Sequence, residues 1–399
     1  MLFLSKKNKP IDYLSLSSKA WKKFKKNKIA LGSFYFIILI VVVSILGYSI
    51  TPDSTPDANN QILQLSVKPP GTKVTMLLVK KNLDVQNSFF FKKMLFGQES
   101  QFFTIPLYKY SFEGNELVAE TFTGSTPNNG PIKRYKLSEI IYGTENISAP
   151  NKSNEELKRE VEKNNIVTKT YLLGTDQEGR DMLSRLMIGS RVSLSVGFIA
   201  VIISLIIGIL LGATAGYYKG KWDSFVTWLI SVVWSLPTLL LVISITLALG
   251  KGFWQIFIAV GLTMWIDVAR IVRGQVISLR EETFIEAGKA MGFSTSRIIF
   301  RHILPNITGT ITVVAADNFA AAILLEAGLS FLGIGAQPPT ASWGSMINAN
   351  RGFIITDSSY LVFLPGVCLM LLVLAFFLVG NGLRDALDNK SEASQLVGA

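Results

Sequence analysis

The chain has 399 residues, 49% of them hydrophobic and 17% charged, with a net charge of +11. Soluble domains reach that apolar fraction too, but several runs of about 20 apolar residues match the roughly 30 Å hydrocarbon layer and exclude a water-soluble fold. One cysteine, Cys368, excludes an internal disulfide, and with one histidine, His302, it cannot build a zinc site.

The basic tail, residues 1–28, carries nine lysines against one aspartate, Asp12, so its charge is 9 − 1 = +8. These lysines abut an apolar run, where they oppose translocation and favour anionic headgroups. The expected partner is therefore the lipid bilayer and not nucleic acid, with the N-terminus cytoplasmic. The run that follows is of full membrane length and reads as an uncleaved anchor. Six spans are expected, at about residues 29–50, 192–217, 226–249, 253–268, 307–326 and 360–379. The fold class is an all-α polytopic membrane protein. An even number of spans leaves both ends on one side. Lys219, Lys221, Arg270, Arg273, Arg280, Arg384 and Lys390 then fall on the cytoplasmic side.

Between the first two spans, about residues 51–190, lies a long extracytoplasmic region, of which 51–172 reads as an insertion. Residues 73–80 and 102–111 are strand-prone, and Phe112 to Glu116 forms a turn into a strand at 117–122. Pro127-Asn128-Asn129-Gly130-Pro131 marks a loop. Residues 151–165 are charged and helix-prone, with little apolar face. A small, mostly β domain is expected, with an ordered domainless loop as the alternative.

A core domain spans 173–388, and a tail, 389–399, follows it. At its start, Met182, Leu183, Leu186 and Met187 recur at helical spacing, which predicts a short helix lying along the outer membrane surface. Pro237 is expected to kink the third span, with gating as one use of the kink. Asp267 and Arg270, three apart, are expected to pair on one helix. Asp317 and Glu326 lie within the fifth apolar run, where a carboxylate is costly. They either line a pathway or make packing hydrogen bonds. Trp343 reads as an interface anchor.

The polar loop 281–305 stands between two spans. Glu281, Glu282 and Glu286 put negative charge at the start of a short helix, where the dipole favours it. Ala287, Gly288 and Ala290 leave one side without bulk, so another protein can approach closely. Gly292 stops the helix, and Ser294 caps a second one that runs until Pro305. Arg301 and His302 pack or pair locally. The chain has no G-x-x-x-x-G-K-[ST] motif and no nucleophile with a base partner, so an enzyme is not expected.

Glu286-Ala287-Gly288, then Gly292, then His302-Ile303-Leu304-Pro305, resembles the coupling loop of ABC-importer permeases. The generic form is E-A-A-x-x-x-G with nine residues before I-x-L-P; here Gly288 fills the third small position and His302 replaces Ile. The ending Arg301 to Asn306, the stretch Gly174-Thr175-Asp176-Gln177-Glu178-Gly179-Arg180-Asp181, Leu329 to Gly335, and Gly382 to Asp388 resemble the dipeptide/oligopeptide (and nickel) branch, second-permease class. Asn389-Lys390 stands where that branch usually has Pro-Arg, and its first external link is usually much shorter. The resemblance implies the type I importer fold and alternating access. It implies partners: a homologous second permease, two cytoplasmic ABC ATPases and an extracytoplasmic binding protein. No cofactor is bound directly, ATP and Mg being used by the ATPases. Glu286, Ala287, Gly288, Gly292, Arg301, His302 and Pro305 are the implied ATPase-coupling residues. Oligopeptides or dipeptides are the implied cargo. A nickel or other small-solute permease shares every motif, and a membrane receptor using the insertion is a more distant alternative.

Overall fold

The computed structural model describes residues 16–82, 89–124, 127–143, 152–250 and 252–387. The first half of the basic tail and the ending Asp388-Asn389-Lys390 lie outside the described residues.

Helices α1 (Leu16–Lys26) and α2 (Lys28–Leu46) meet at Asn27, whose side chain accepts from the Ala30 amide at 3.1 Å and caps α2. After α2 the chain builds one antiparallel sheet from β1 (Thr72–Lys80), β2 (Phe102–Glu113), β3 (Glu116–Thr121), β4 (Ile132–Lys136) and β5 (Ile166–Tyr171). Its order is β4-β3-β2-β1-β5, with Met76 opposite both Pro106 and Val167. Helix α3 (Phe90–Phe96) joins β1 to β2; α4 (Leu137–Tyr142) and α5 (Asn154–Glu160) join β4 to β5. Alternation explains the two faces. Leu77, Leu107, Leu117 and Ala119 pack under Leu137, Ile140, Leu157 and Val161. Val74, Met76 and Tyr171 pack instead on Ile62 and Leu65. Strands β1, β2 and β3 stand at the strand-prone segments 73–80, 102–111 and 117–122; β4 and β5 are further strands. β4 is too charged and too exposed to carry an alternating signal. The charged segment at 152–165 is a helix with a Ser153/Glu156 capping box, continued by a π turn that buries Val161.

The remaining helices are α6 (Met182–Tyr218), α7 (Gly220–Trp234), α8 (Thr238–Leu249), α9 (Phe253–Arg280), α10 (Thr283–Ala290), α11 (Thr295–Arg297), α12 (Leu304–Phe331), α13 (Trp343–Asn350) and α14 (Tyr360–Leu387). Among the described residues five helical stretches are long and apolar enough to cross a membrane, and α7 with α8 adds a sixth only if that pair is one span. The two are bent by 92°, so the third expected span is not one continuous helix: the pair is a broken span or a re-entrant loop. Pro237, just before α8, cannot donate a backbone hydrogen bond, and the bend falls there.

Three further expectations are corrected. Residues 182–187 do not form a separate surface helix; they begin α6, which runs unbroken for 37 residues, roughly 55 Å. The Asp181 carboxylate caps it by accepting from the Ser184 amide at 2.8 Å, and Met182 and Leu186 are buried in protein. Pro305 does not end the second loop helix. The helix widens to a π turn over Ile298–Ile303 and passes straight into α12, one stretch Thr295–Phe331. The wider register bonds the Leu304 amide to the Ile299 carbonyl, and Asn306 Nδ2 donates to the His302 carbonyl at 2.6 Å, so the proline is accommodated. Trp343 is no interface anchor: it is 2% exposed, and its Nε1 donates to the Leu186 carbonyl at 2.9 Å.

The tightest helix pair is α6 with α9. Gly208, Gly212 and Gly216 recur every fourth residue on α6. A Cβ there would stand 2.7, 2.4 and 2.7 Å from the carbonyls of Trp265, Ala269 and Arg273. Only glycine admits that approach, the small-xxx-small device of membrane helices. Asp267 and Arg270 pair at 3.0 Å as expected, and Arg270 also lies over Trp234 of α7.

Candidate functional site

The loop 281–303 is built on the ends of α6 and α9. Ile285 of α10 and Ile298, Ile299 and Ile303 beyond it join Tyr217, Val272 and Val276 in one apolar cluster. That inner face explains why a polar, small-residue segment folds at all. Arg280 Nη1 donates to the Tyr217 carbonyl, and Lys219 pairs with Glu281 at 2.9 Å. The lysine holds the Glu281 carboxyl below its usual range by hydrogen bond and charge. The opposite face of α10 is open: Glu286, Ala287, Lys289 and Ala290 are exposed. Gly292 then turns the chain at φ +74°, a left-handed conformation that favours glycine. The Ser294 hydroxyl accepts from the Arg297 amide to start the next helix.

The expected loop residues divide between those two faces. Gly288 is buried, and a Cβ on it would meet the Phe293 ring at 3.3 Å. His302 stacks on the other side of the loop hinge against that ring, centroids 5.5 Å apart, while Arg297 lies 4.0 Å over it. Glu286, Ala287, Gly292, Arg301 and Pro305 are exposed. The arrangement is a surface helix on a glycine joint, continuous through an aromatic and cationic stack with a 37-residue rod, Thr295–Phe331.

This loop shares one end of the molecule with the chain's two outermost described helices. Leu387, the last residue of α14, reaches Gly309 near the start of α12. Phe24 and Ala30 pack on Val379 and Ala386 of α14.

At the other end, Gly174 to Asp181 fastens the sheet to α6. Arg180 Nε donates to Asp176 at 2.7 Å in a pair under 7% exposed, and Arg185 stands 3.6 Å from the same carboxylate. Asp176 also accepts from the Glu178 and Arg180 amides, both at 3.0 Å. Thr175 donates to the Leu65 carbonyl, and Ser184 donates to the Asp181 carboxylate while accepting from the Asp53 amide at 2.9 Å.

The two intramembrane acids differ. Glu326 is fully buried; it accepts from Ser330 at 2.7 Å and Ser193 at 3.3 Å, joining α12 to α6. Asp317 is partly exposed and accepts from Arg384 of α14 at 3.4 Å. Sequence reasoning missed Asp223, which accepts from Arg273 in a two-pronged pair, one prong at 2.7 Å. It also missed Arg191, an arginine directly before a long apolar run, a position that could have flagged it.

Two known families match in sequence. Residues 208–392 match the binding-protein-dependent transport system inner membrane component. Residues 15–70 match the N-terminal TM domain of oligopeptide transport permease C. The chain belongs to this family of ABC-importer permeases, in its C-type class. It is a multi-pass membrane transport subunit and not an enzyme. It is 46% identical to the dipeptide transport system permease protein DppC of Alkalihalophilus pseudofirmus over 224 residues, 56% of this chain and 73% of that one. The oligopeptide transport system permease protein OppC of Bacillus subtilis is 39% identical over the same shares. The glutathione transport system permease protein GsiD of Escherichia coli is 42% identical over 57% of this chain and 75% of its own length. Inward-facing structures of the MetNI methionine ABC transporter align with 20% identity and a TM-score of 0.43, covering 52% of this chain and 98% of that one.

Proposed function

We propose that this chain is one of two homologous permeases of an importer that moves oligopeptides or dipeptides across the cytoplasmic membrane by alternating access. Two cytoplasmic ABC ATPases hydrolyse ATP with Mg below, and an extracytoplasmic binding protein delivers peptide above. The loop end and both termini face the cytoplasm; the sheet faces outward. The observation that carries the reading is the open face of α10, whose other face packs through Ile285 on Ile298, Ile299 and Ile303 of the rod Thr295–Phe331. A docked ATPase that moves α10 therefore tilts α12. Moving a two-state equilibrium from 1:99 to 99:1 takes about 5.5 kcal/mol of differential binding, and this loop is the place where that energy enters.

Glu286, Ala287, Arg301 and Pro305 are the ATPase-facing residues. Gly288, Gly292 and His302 act inside the loop, shaping the joint. Asp317, half-open toward α14, is the better pathway or gating residue than Glu326, whose serine partners already account for it. The bend beside Pro237 is the second gating element. Peptide is preferred to nickel as cargo because the relatives just described are named for dipeptide, oligopeptide and glutathione transport.

Uptake of labelled di-, tetra- and hexapeptides, with nickel in parallel, in cells with and without the gene tests this. Loss of peptide uptake alone is expected, and the peptide lost sets the size class. Loss of nickel uptake alone would replace the cargo, and no change in either would overturn both cargoes and point to another solute or to a receptor role.

A further inference from the structure

Helix α3 is short, apolar and unusually open. Phe89, Phe90, Phe91 and Phe96 are 58–75% exposed, and the Phe91 ring lies 5.7 Å from Phe89, tilted, and 5.7 Å from Phe90, edge-on. Three consecutive exposed phenylalanines in ring contact, with a fourth at the far end of the same short helix, mark a contact with something apolar. The height of this patch is set by Arg191 of α6. Its guanidinium donates to the Ser44 and Ile45 carbonyls at the end of α2, and to the Met94 and Leu95 carbonyls at the end of α3, the Met94 bond at 2.7 Å. The same group lies 4.7 Å over the Tyr48 ring. Gly47 leaves the room it needs, since a Cβ there would stand 2.3 Å from Nη2.

Arg191 is the last charge before the apolar run of α6, and Ser44 and Ile45 lie in the last turn of α2, within five residues of the end of its apolar run at Ser49. Two spans thus leave the hydrocarbon at the level of this one side chain. α3 is tied to that level by the same hydrogen bonds, and its exposed Lys92 and Lys93 can reach headgroup phosphates from there. A second tie holds its end: the Gln98 amide donates to the Ser54 carbonyl at 2.9 Å.

We propose that α3 is an interfacial helix, pinned by Arg191, whose phenylalanines insert into the membrane leaflet on the sheet's side. The sheet is thereby held to the bilayer surface at a point separate from its tether through Gly174 to Asp181. Depth of insertion at such sites is about 5–10 Å, into the boundary between headgroups and acyl chains.

The test uses the full chain in lipid nanodiscs, with Cys368→Ser removing the lone native thiol. Phe91→Cys is labelled with an environment-sensitive nitrobenzoxadiazole dye, and Ile132→Cys on the exposed edge strand β4 serves as the comparison. The dye at 91 is expected to be quenched severalfold more by doxyl lipid than the dye at 132, and severalfold less by iodide. Arg191→Ala should reduce the lipid quenching at 91, while Arg191→Lys should restore part of it. Equal iodide quenching at both positions would overturn the proposal. So would shielding of position 91 from both quenchers, which would mean that protein covers it. Neither readout depends on cargo or on ATPase coupling.

Discussion

The two ends of this subunit are built on opposite principles. At the sheet end, Asp176, Arg180, Asp181, Ser184 and Arg185 are all buried and mutually bonded, and they tie the segment around Asp53 to Thr175 onto the start of α6. At the loop end, α10 keeps one apolar face on α6 and α9 and leaves the other open, with exposed ion pairs and a glycine joint. Buried charge networks are costly to break and hold one geometry. Exposed pairs and glycine joints cost little to rearrange. The contrast teaches that one sequence can fix a platform at one end and keep a movable contact at the other.

The comparison is broken most directly at Asp176. Asp176→Ala leaves the buried Arg185 without its carboxylate and Arg180 with only Glu178, at 2.9 Å, and breaking a buried pair costs about 3–5 kcal/mol. Thermal unfolding of the purified chain should show the largest loss of any substitution considered, with the sheet becoming sensitive to protease. Ala287→Arg is the converse: stability and membrane level stay at wild type while uptake is abolished. Normal uptake by a well-expressed variant would remove the docking role of α10.

A mutation between the two ends sharpens the contrast. Gly212→Leu forces α6 off α9, where backbone contact leaves no space, and overpacking costs about 1–3 kcal/mol. Both ends should suffer, seen as reduced thermal stability and reduced uptake together. Gly292→Ala places a side chain at φ +74°, a cost of about 1–2 kcal/mol confined to the joint. Uptake should fall further than thermal stability does. The smallest effect is expected at Glu281. Its carboxyl is held below the usual range by Lys219, so the pair stabilises the fold above the ordinary glutamate value and loses that contribution as pH falls through the depressed one. Since the group is fully exposed, Glu281→Gln should leave thermal unfolding at neutral pH unchanged within error.

Much of this plan was legible in the residues. Apolar runs of membrane length point to spans in a chain with this clustering, and strand-prone composition with a turn at 112–116 located the first three strands. The spacing from Glu286 to Pro305 identified the loop, because a small-residue helix followed by a glycine stop is a local pattern. The Asp267–Arg270 pair was legible for the same reason: both partners lie on one helix turn.

What the residues could not disclose was decided by partners distant in sequence. Trp343 has the composition of an interface anchor and became a core residue because the Leu186 carbonyl stands beside it. The helix 182–187 has an apolar face suited to a membrane surface, but that face meets protein, so it continues into α6. Pro305 reads as a helix stop, yet the helix passes through it by way of a π turn that bonds the Leu304 amide to Ile299, with the Asn306 side chain bonding the His302 carbonyl. Arg191 is a bare charge in the sequence and a four-carbonyl clamp in the fold. The sequence by itself determined most of the membrane-length segments, the first three strands and the local form of the loop 281–305, since hydropathy and turn chemistry are local. Which of its polar groups became locks, and which stayed free to move, was decided only by tertiary structure, because burial and hydrogen-bond partnership depend on what folds in from elsewhere.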